Sequence, residues 1–498
     1  MHPLIEEIQT QHTPESLAAQ LLGPTSAFRP VPGNVVLLRT GQFDSPAARY
    51  SFVTANPFLT FRSYGSRCEV THHGACVTQW VQFGNPWHLL DSLMLRFESL
   101  DEIDWPFPLG GAFGYWGYDL KNFTEPKLSR RAVNDLELPD CHVGFHDSLV
   151  VFDHQLGKVC VISTGVTADG TRSEGRAGER LKFWKTQLGS VAAFARTPMP
   201  DGMGSALGVG PPPRSNISRA GFIAAVERVQ QYIRAGDIYQ ANLSHRLTVP
   251  CELSGWELFQ ELLAVSPAPF AAFLDCDGGS RQSRFAIASS SPEQFLRLSG
   301  AHVVTRPIKG TRPRATEATR DAQLAYELQT SPKELAELVM ITDLLRNDLG
   351  KVCEYGSVQV PELARLEKFA QVQHLVSTVE GRLRPEMTHL AAFAACFPGG
   401  SVTGAPKYRA MEIIDELEPV SRGPYCGAIG YLGFNRESQL SIAIRTAICH
   451  LGVVHFNVGA GIVADSHPEA EYEETLAKAR GFLSALDLLQ SRFSSASM

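Results

Sequence analysis

The chain has no C-x-x-C pair, no membrane-length apolar run and no surplus of basic residues. Its ten cysteines (Cys68, Cys76, Cys141, Cys160, Cys251, Cys276, Cys353, Cys396, Cys426 and Cys449) are too scattered for a zinc site or a small disulfide framework. Most lie among apolar residues, as in Lys158-Val159-Cys160-Val161-Ile162, where a free thiol packs as a small hydrophobe. That usage suits a reducing compartment, most simply the cytoplasm. No stretch approaches the roughly eighteen apolar residues of a membrane span. Met1–Glu7 is polar and acidic, without the basic-then-apolar order of a secretory signal. With 45 Lys and Arg against 52 Asp and Glu, the formal charge is −7, which gives nucleic acid no electrostatic reason to bind. Neither nucleic acid nor membrane is an expected partner. A small molecule or another protein is.

What is present reads as α+β. From about Arg29 to Val166 the chain is rich in short strands, such as Val35-Val36-Leu37-Leu38 and Ser148-Leu149-Val150-Val151-Phe152. The glycines and aromatics from Gly110 to Asp119 suggest close backbone approach under flat rings, hence tight sheet packing. A helix is expected from Arg176 to Leu188. The Gly- and Pro-dense stretch after it is the best linker candidate. Beyond that, Ser218 can cap a helix whose Phe222, Val226, Val229 and Ile233 recur with helical spacing up to Gly236. The expected organisation is a strand-rich part over residues 1–196, a linker over 197–216, a mixed part of strands and longer helices over 217–490 and a frayed Ser-rich tail over 491–498.

Three features carry chemistry. The stretch Arg306-Pro307-Ile308-Lys309-Gly310-Thr311-Arg312-Pro313-Arg314 holds four cations and no acid, and its Pro and Gly spacing predicts a rigid turn. It is either a solvated basic loop or a seat for a small anion. Two helix starts look alike, Ser331-Pro332-Lys333-Glu334 and Ser466-His467-Pro468-Glu469, and each can form a capping box. Glu334 and Glu337 share a face that runs on through Ile341 and Leu345, and Glu471 and Glu474 form a matching pair. Either the glutamates only cap and solvate their helices, or the pairs converge on a hard, oxygen-seeking cation such as Mg²⁺. Finally, Pro398–Lys407 and Gly459-Ala460-Gly461 read as loops whose backbone N–H groups can hold an anion. The first lacks the order of a P-loop.

The order of these pieces is distinctive. Ser291-Pro292-Glu293 and R-P-I-K-G-T-R-P-R are followed by Asp343-Leu344-Leu345-Arg346-Asn347-Asp348 and His374-Leu375-Val376-Ser377. Gly404-Ala405-Pro406-Lys407, Ile444-Arg445-Thr446, Gly459-Ala460-Gly461 and the last glutamates complete the series. From about Ser218 to Leu488 the chain closely resembles the chorismate-utilising enzymes, a group that includes anthranilate, aminodeoxychorismate, isochorismate and salicylate synthases. Gly110–Asp119 resembles the first half of the two aminating types.

The resemblance implies an intertwined two-subdomain α/β/β/α sandwich with large antiparallel sheets. It implies Mg²⁺ held by Glu334, Glu337, Glu471 and Glu474 and gripping the ring carboxylate of chorismate, with backbone donors from Gly459 and Gly461. Tyr425 and Arg445 match residues that bind the enolpyruvyl carboxylate, where a guanidinium fork suits the anion. Thr311, His374 and Thr403 match positions lining the ring, and Glu293 matches the general acid that protonates the departing 4-hydroxyl. Gln240 stands where the hydrating members carry the Lys that activates water, so hydration is not expected. Lys309 stands where anthranilate synthases typically carry Ala. P-I-K-G-T is characteristic of aminodeoxychorismate synthases, in which this Lys is proposed to add to C2 before ammonia enters at C4. Arg306 and Arg312 are expected to depress the Lys309 pKa and make its amine nucleophilic. No glutaminase motif occurs in the chain, so a separate glutaminase subunit is the expected ammonia source. Leu37-Leu38-Arg39-Thr40 departs from the L-L-E-S pattern of tryptophan-inhibited relatives. The implied product is aminodeoxychorismate, on the way to p-aminobenzoate and folate. The alternatives are anthranilate or, in another class, a non-catalytic binding subunit.

Overall fold

A computed structural model describes residues 2–23, 33–40, 49–74, 76–99, 105–190, 212–251, 253–276, 283–369 and 372–496, with side chains up to residue 489. Its strands form two antiparallel sheets, each of twelve described strands, and both halves of the chain contribute to both. In the first sheet Val36–Arg39 pairs with Phe270–Cys276. In the second, Gly111–Trp116 pairs with Ala428–Gly433. The intertwined fold implied by the resemblance is the one observed.

The glycine-rich stretch owes its composition to this pairing. A Cβ on Gly114 would stand 2.1 Å from the His142 carbonyl oxygen, and one on Gly111 would stand 2.4 Å from that of Leu432. The whole strand Gly111–Trp116 is buried. Helices pack on the outer faces as their apolar spacing dictates. In the helix Arg219–Arg234, capped by the Ser218 hydroxyl, Phe222, Val226 and Val229 are fully buried, each contributing about 1.5–3 kcal/mol. The helix expected over Arg176–Leu188 spans Glu174–Gly189, capped by Ser173.

Several expectations need correction. The basic stretch is not a turn. It continues the strand His302–Arg306 into a second strand, Ile308–Pro313, at the edge of its sheet. An edge strand tolerates the missing N–H of Pro313, and Gly310, at φ +65°, absorbs a register shift between Lys309 and Thr311. Gly459-Ala460-Gly461 is not a loop either, but part of the strand Val453–Ile462. The last helix runs from Pro468 to Ala496, past the expected start of the tail at Ser491. Residues 197–211 of the expected linker lie outside the described residues. Of the rest, Arg214–Ser215 forms a short strand against Leu247 and Thr248. Seven of the ten cysteines are buried, and no described helix is long and apolar enough to cross a membrane. Beside Leu38, Arg39 and Thr40 lies a cavity of about 30 Å³, room for about one water.

Candidate functional site

Two of the points at which the chain crosses between the sheets lie side by side, and both carry reactive side chains. At the first, Pro292-Glu293 joins the strand Phe285–Ser291 to Gln294–Ser299. At the second, Ala443-Ile444-Arg445 joins Glu437–Ile442 to Thr446–His450. The crossings are stitched together. The Ile442 N–H donates to the Glu293 carbonyl at 3.1 Å, and the Ser290 N–H to the Arg445 carbonyl at 2.9 Å. Arg445 has the left-handed φ of +49°, and Cys426, next to Tyr425, has +62°. Such strain in non-glycine residues concentrates at functional sites.

Beside the crossings opens a cavity of about 710 Å³, within the range of small-molecule sites. Glu293, Lys309, Thr311, His374, Tyr425, Arg445, Gly459, Gly461, Glu334, Glu337, Glu471 and Glu474 all line it. The bulge at Gly310 matters here, because Ile308 through Arg312 reach the wall consecutively, which a regular strand, alternating its faces, cannot do.

The floor holds an acid and a cation with opposite needs. Glu293 is 6 % exposed, and burial pushes its carboxyl up to about 7, against smaller lowering by a hydrogen bond from Ser401, the Lys309 charge and the Ile308 backbone. It is therefore a proton donor poised near neutral pH. Arg445 has no ion-pair partner among the described residues, and burial lowers its pKa. A desolvated, unpaired guanidinium on a cavity wall is a seat for a carboxylate. His374 is held neutral, its pKa lowered to about 4 by burial and by the Arg445 charge, and its Nδ1 pairs with the Thr311 hydroxyl at 2.9 Å. A Cβ on Gly461 would stand 2.4 Å from Gln240 Nε2 and 3.7 Å from Lys309 Nζ, and one on Gly459 would stand 2.9 Å from the Tyr425 hydroxyl. Both glycines thus keep space open between polar side chains.

The rim is acidic and already neutralised. Glu334 faces Arg312 at 3.3 Å, and Glu337 faces Lys309 at 3.7 Å and Lys333 at 4.0 Å. Glu474 pairs with Lys478 at 2.8 Å, and Glu471 accepts from the Ser466 hydroxyl at 2.6 Å. Burial raises the Glu471 pKa. For Glu474, the charges of Lys478, Lys333 and Lys309 outweigh burial and lower it. The Ser331 hydroxyl accepts from the Glu334 N–H as expected. Ser466 is no cap, because it bridges the Val463 N–H to Glu471 instead. The two glutamate pairs do face one cavity, as the shared helix faces suggested, and oxygen donors suit a hard cation. Glu334, Glu337 and Glu474 are drawn to basic side chains and Glu471 to Ser466, and no three acidic, His or Cys groups gather at metal-binding distance among the described residues.

Two expected residues stand back from the cavity. Thr403 is fully buried and its hydroxyl donates to the carbonyls of Gly399 and Gly400 at 3.0 and 3.2 Å. The tight turn Gly400–Val402 presents Ser401 instead, next to Glu293. Sequence reading missed Ser401. The signal available was its place as the first hydroxyl after Gly399-Gly400. Gln240 lies one layer behind Gly461, 1 % exposed, with no partner for its Oε1 among the described residues. The arginines expected to activate Lys309 are committed elsewhere, Arg306 to Glu367 and Arg312 to Glu334, and the nearest charge to Lys309 is the carboxylate of Glu337. Tertiary folding supplies the acids that the basic stretch lacks locally.

Known proteins give this cavity a context. The description of the family of chorismate binding enzymes matches residues 42–484. Aminodeoxychorismate synthase component 1 of Salmonella typhimurium is 40 % identical over 454 residues, covering 91 % of this chain and 93 % of the relative. Anthranilate synthase component 1 of Acetivibrio thermocellus is 38 % identical over 450 residues, covering 88 % and 87 %. The crystal structure of anthranilate synthase component I from Streptococcus pneumoniae superposes with a TM-score of 0.73 at 31 % identity, covering 89 % of this chain and 95 % of that one. The match in sequence, in fold and along nearly the whole length leads to one assignment, that this chain belongs to the chorismate binding enzymes.

Proposed function

We propose that this chorismate-utilising enzyme aminates chorismate at C4, giving 4-amino-4-deoxychorismate for p-aminobenzoate and folate synthesis. The observation that carries the reading is Lys309, whose side chain reaches the cavity floor between Glu293 and Gly461. Relatives named for either amination match at similar identity, so the reading rests on that residue and not on the degree of likeness.

In this reading the Arg445 guanidinium and the Tyr425 hydroxyl receive the enolpyruvyl carboxylate, and Thr311 and His374 border the ring. The Lys309 amine adds to C2, both ring double bonds shift, and the C4–O bond breaks. Glu293 gives its proton to the departing hydroxyl, which leaves as water. Ammonia then adds to C4, both double bonds return and expel the Lys309 amine, and the Glu293 carboxylate takes up the proton that ammonia sheds. The sum is chorismate plus ammonia to aminodeoxychorismate plus water. Glu334, Glu337, Glu471 and Glu474 would hold Mg²⁺, which when bound supplies positive charge to the ring carboxylate. Ammonia comes from a separate glutaminase subunit.

The test is the product. Incubated with chorismate, Mg²⁺ and ammonium salt, the protein is expected to form a species that an added aminodeoxychorismate lyase converts to p-aminobenzoate. Anthranilate appearing without lyase would overturn the reading in favour of anthranilate synthesis. Lys309→Ala is expected to lower C4 amination by about 10²-fold or more, as loss of a covalent catalyst does. Wild-type rates in that variant would remove the lysine from the chemistry.

A further inference from the structure

The Gly110–Asp119 stretch lies far from the glutamates in sequence, and the chemistry above makes no use of it. Its end is clamped onto the turn that carries Tyr425. The Tyr118 N–H donates to the Gly423 carbonyl at 2.7 Å, and the Gly423 N–H returns a bond to Asp119 Oδ2 at 2.9 Å. Contact is so close that a Cβ on Gly427 would stand 2.1 Å from the Trp116 carbonyl oxygen.

Between this clamp and the cavity lies Arg422, 3 % exposed. Its guanidinium carbon sits 4.5 Å from the centre of the Tyr118 ring and 5.9 Å from that of Tyr425. Each edge of the fork is used. Nη1 donates to the Val402 carbonyl at 2.9 Å, and Nη2 to the Asn242 carbonyl at 2.7 Å. Nε and Nη2 also pair with Glu418 at 2.8 and 2.7 Å. Glu418 in turn accepts from the Ser244 N–H and hydroxyl at 2.8 and 2.9 Å. Asn242, Val402 and Tyr425 all line the cavity, and Ser401, the partner of Glu293, adjoins Val402. The strand Gln240–Pro250, the Ser401 turn and the Tyr425 turn therefore meet at one buried cation.

We propose that Arg422, seated on the face of Tyr118, is a positioning residue that sets three walls of the chorismate cavity against one another, and that the Gly110–Asp119 stretch is the strut through which the N-terminal half supports them. Only a planar fork serves carbonyls in two directions and a carboxylate while its face stays free to stack. The role of Tyr118 is that of its ring, since its hydroxyl is buried with no hydrogen-bond partner among the described residues. The inference rests on the cavity as the chorismate site and is indifferent to which aminated product forms.

The test compares three variants, Arg422→Lys, Tyr118→Phe and Tyr118→Leu, by calorimetric binding of chorismate with Mg²⁺, by steady-state kinetics with ammonium salt and by thermal melting. Arg422→Lys keeps the charge but not the fork, and is expected to weaken chorismate binding and kcat/KM by about tenfold or more. Tyr118→Phe keeps the face and should stay within about twofold of wild type, whereas Tyr118→Leu should fall several-fold in both. A merely structural tyrosine would lower the melting temperature of Tyr118→Leu and leave the affinity and kcat of its folded fraction unchanged. That result, or equal behaviour of the Phe and Leu variants, overturns the proposal. Should Arg422→Lys fail to fold, the tyrosine pair decides alone. If wild type binds chorismate but yields no aminated product, the proposed reaction fails while the binding comparison still judges Arg422.

Discussion

Glu293 and Glu474 line the same cavity, and burial raises both carboxyls, yet they end on opposite sides of their ordinary value. Glu293 is pushed up to about 7, because one hydrogen bond from Ser401 and the Lys309 charge do not offset its burial. Glu474 is lowered, because three lysines face it and Lys478 also bonds it. The difference teaches how one cavity handles two kinds of charge. Glu293, on the buried floor, keeps a proton, while Glu474, exposed and ion-paired at the rim, keeps its negative charge. A substrate that must lose a hydroxyl at one end while its carboxylate is neutralised at the other needs that division.

The sharpest way to break the comparison is at the floor. Glu293→Gln keeps the shape but cannot give up a proton, and a positioned general acid contributes about 10²–10⁴-fold. A fall of that size in kcat, with little change in KM for chorismate, is expected in a chorismate-consumption assay. Wild-type kcat/KM should decline as pH rises through about 7, where Glu293 loses its proton, and Glu293→Gln should lose that limb. Retention of the limb in the variant would assign the titration to another group.

The rim is expected to answer to metal instead. Glu337→Gln and Glu474→Gln each remove one charged oxygen donor, a loss of about 1.5–3 kcal/mol, and should weaken Mg²⁺ binding about tenfold or more in calorimetric titration without chorismate. Glu293→Gln should leave that titration unchanged. If the rim holds Mg²⁺, Lys333 and Lys478 must give up their carboxylates to it. Equal Mg²⁺ affinity in the two rim variants and wild type would remove the rim from metal binding.

How much of this was legible in the chain depended on how local each cause is. Ser218 and Ser331 cap their helices as their positions promise, because a cap is decided within three residues. The glutamate pairs were placed by helical spacing alone, and they do share a cavity. The edge strand Ile308–Pro313 was misread as a turn, since its proline and glycine are acceptable only where no further strand pairs with it. That fact belongs to the sheet. The environment of Lys309 was misjudged for the same reason: Glu367 and Glu334 capture its neighbouring arginines from far along the chain. Ser401 and Thr403 differ by two positions in one turn, and only the fold of Gly400–Val402 decides which hydroxyl turns back to the backbone.

The smallest expected effect is on stability, and its sign follows from the floor. In the unfolded chain Glu293 titrates near its ordinary 4.5, and in the folded protein near 7. Between these values the native state binds more protons than the unfolded state, so stability falls as pH rises through the window. Above it the full cost of a buried carboxylate is present, on the order of 3 kcal/mol. Glu293→Gln carries no such cost at any pH. Its melting temperature minus that of wild type is therefore expected to be larger at pH 8 than at pH 5, with other titrating groups cancelling in the difference. A gap of the same size at both pH values would mean that Glu293 is not held protonated by its burial, and the contrast between floor and rim would lose its physical basis. A positive gap at pH 8 in a variant that has lost its turnover would show the floor to be a place where the fold gives up stability to keep an acid.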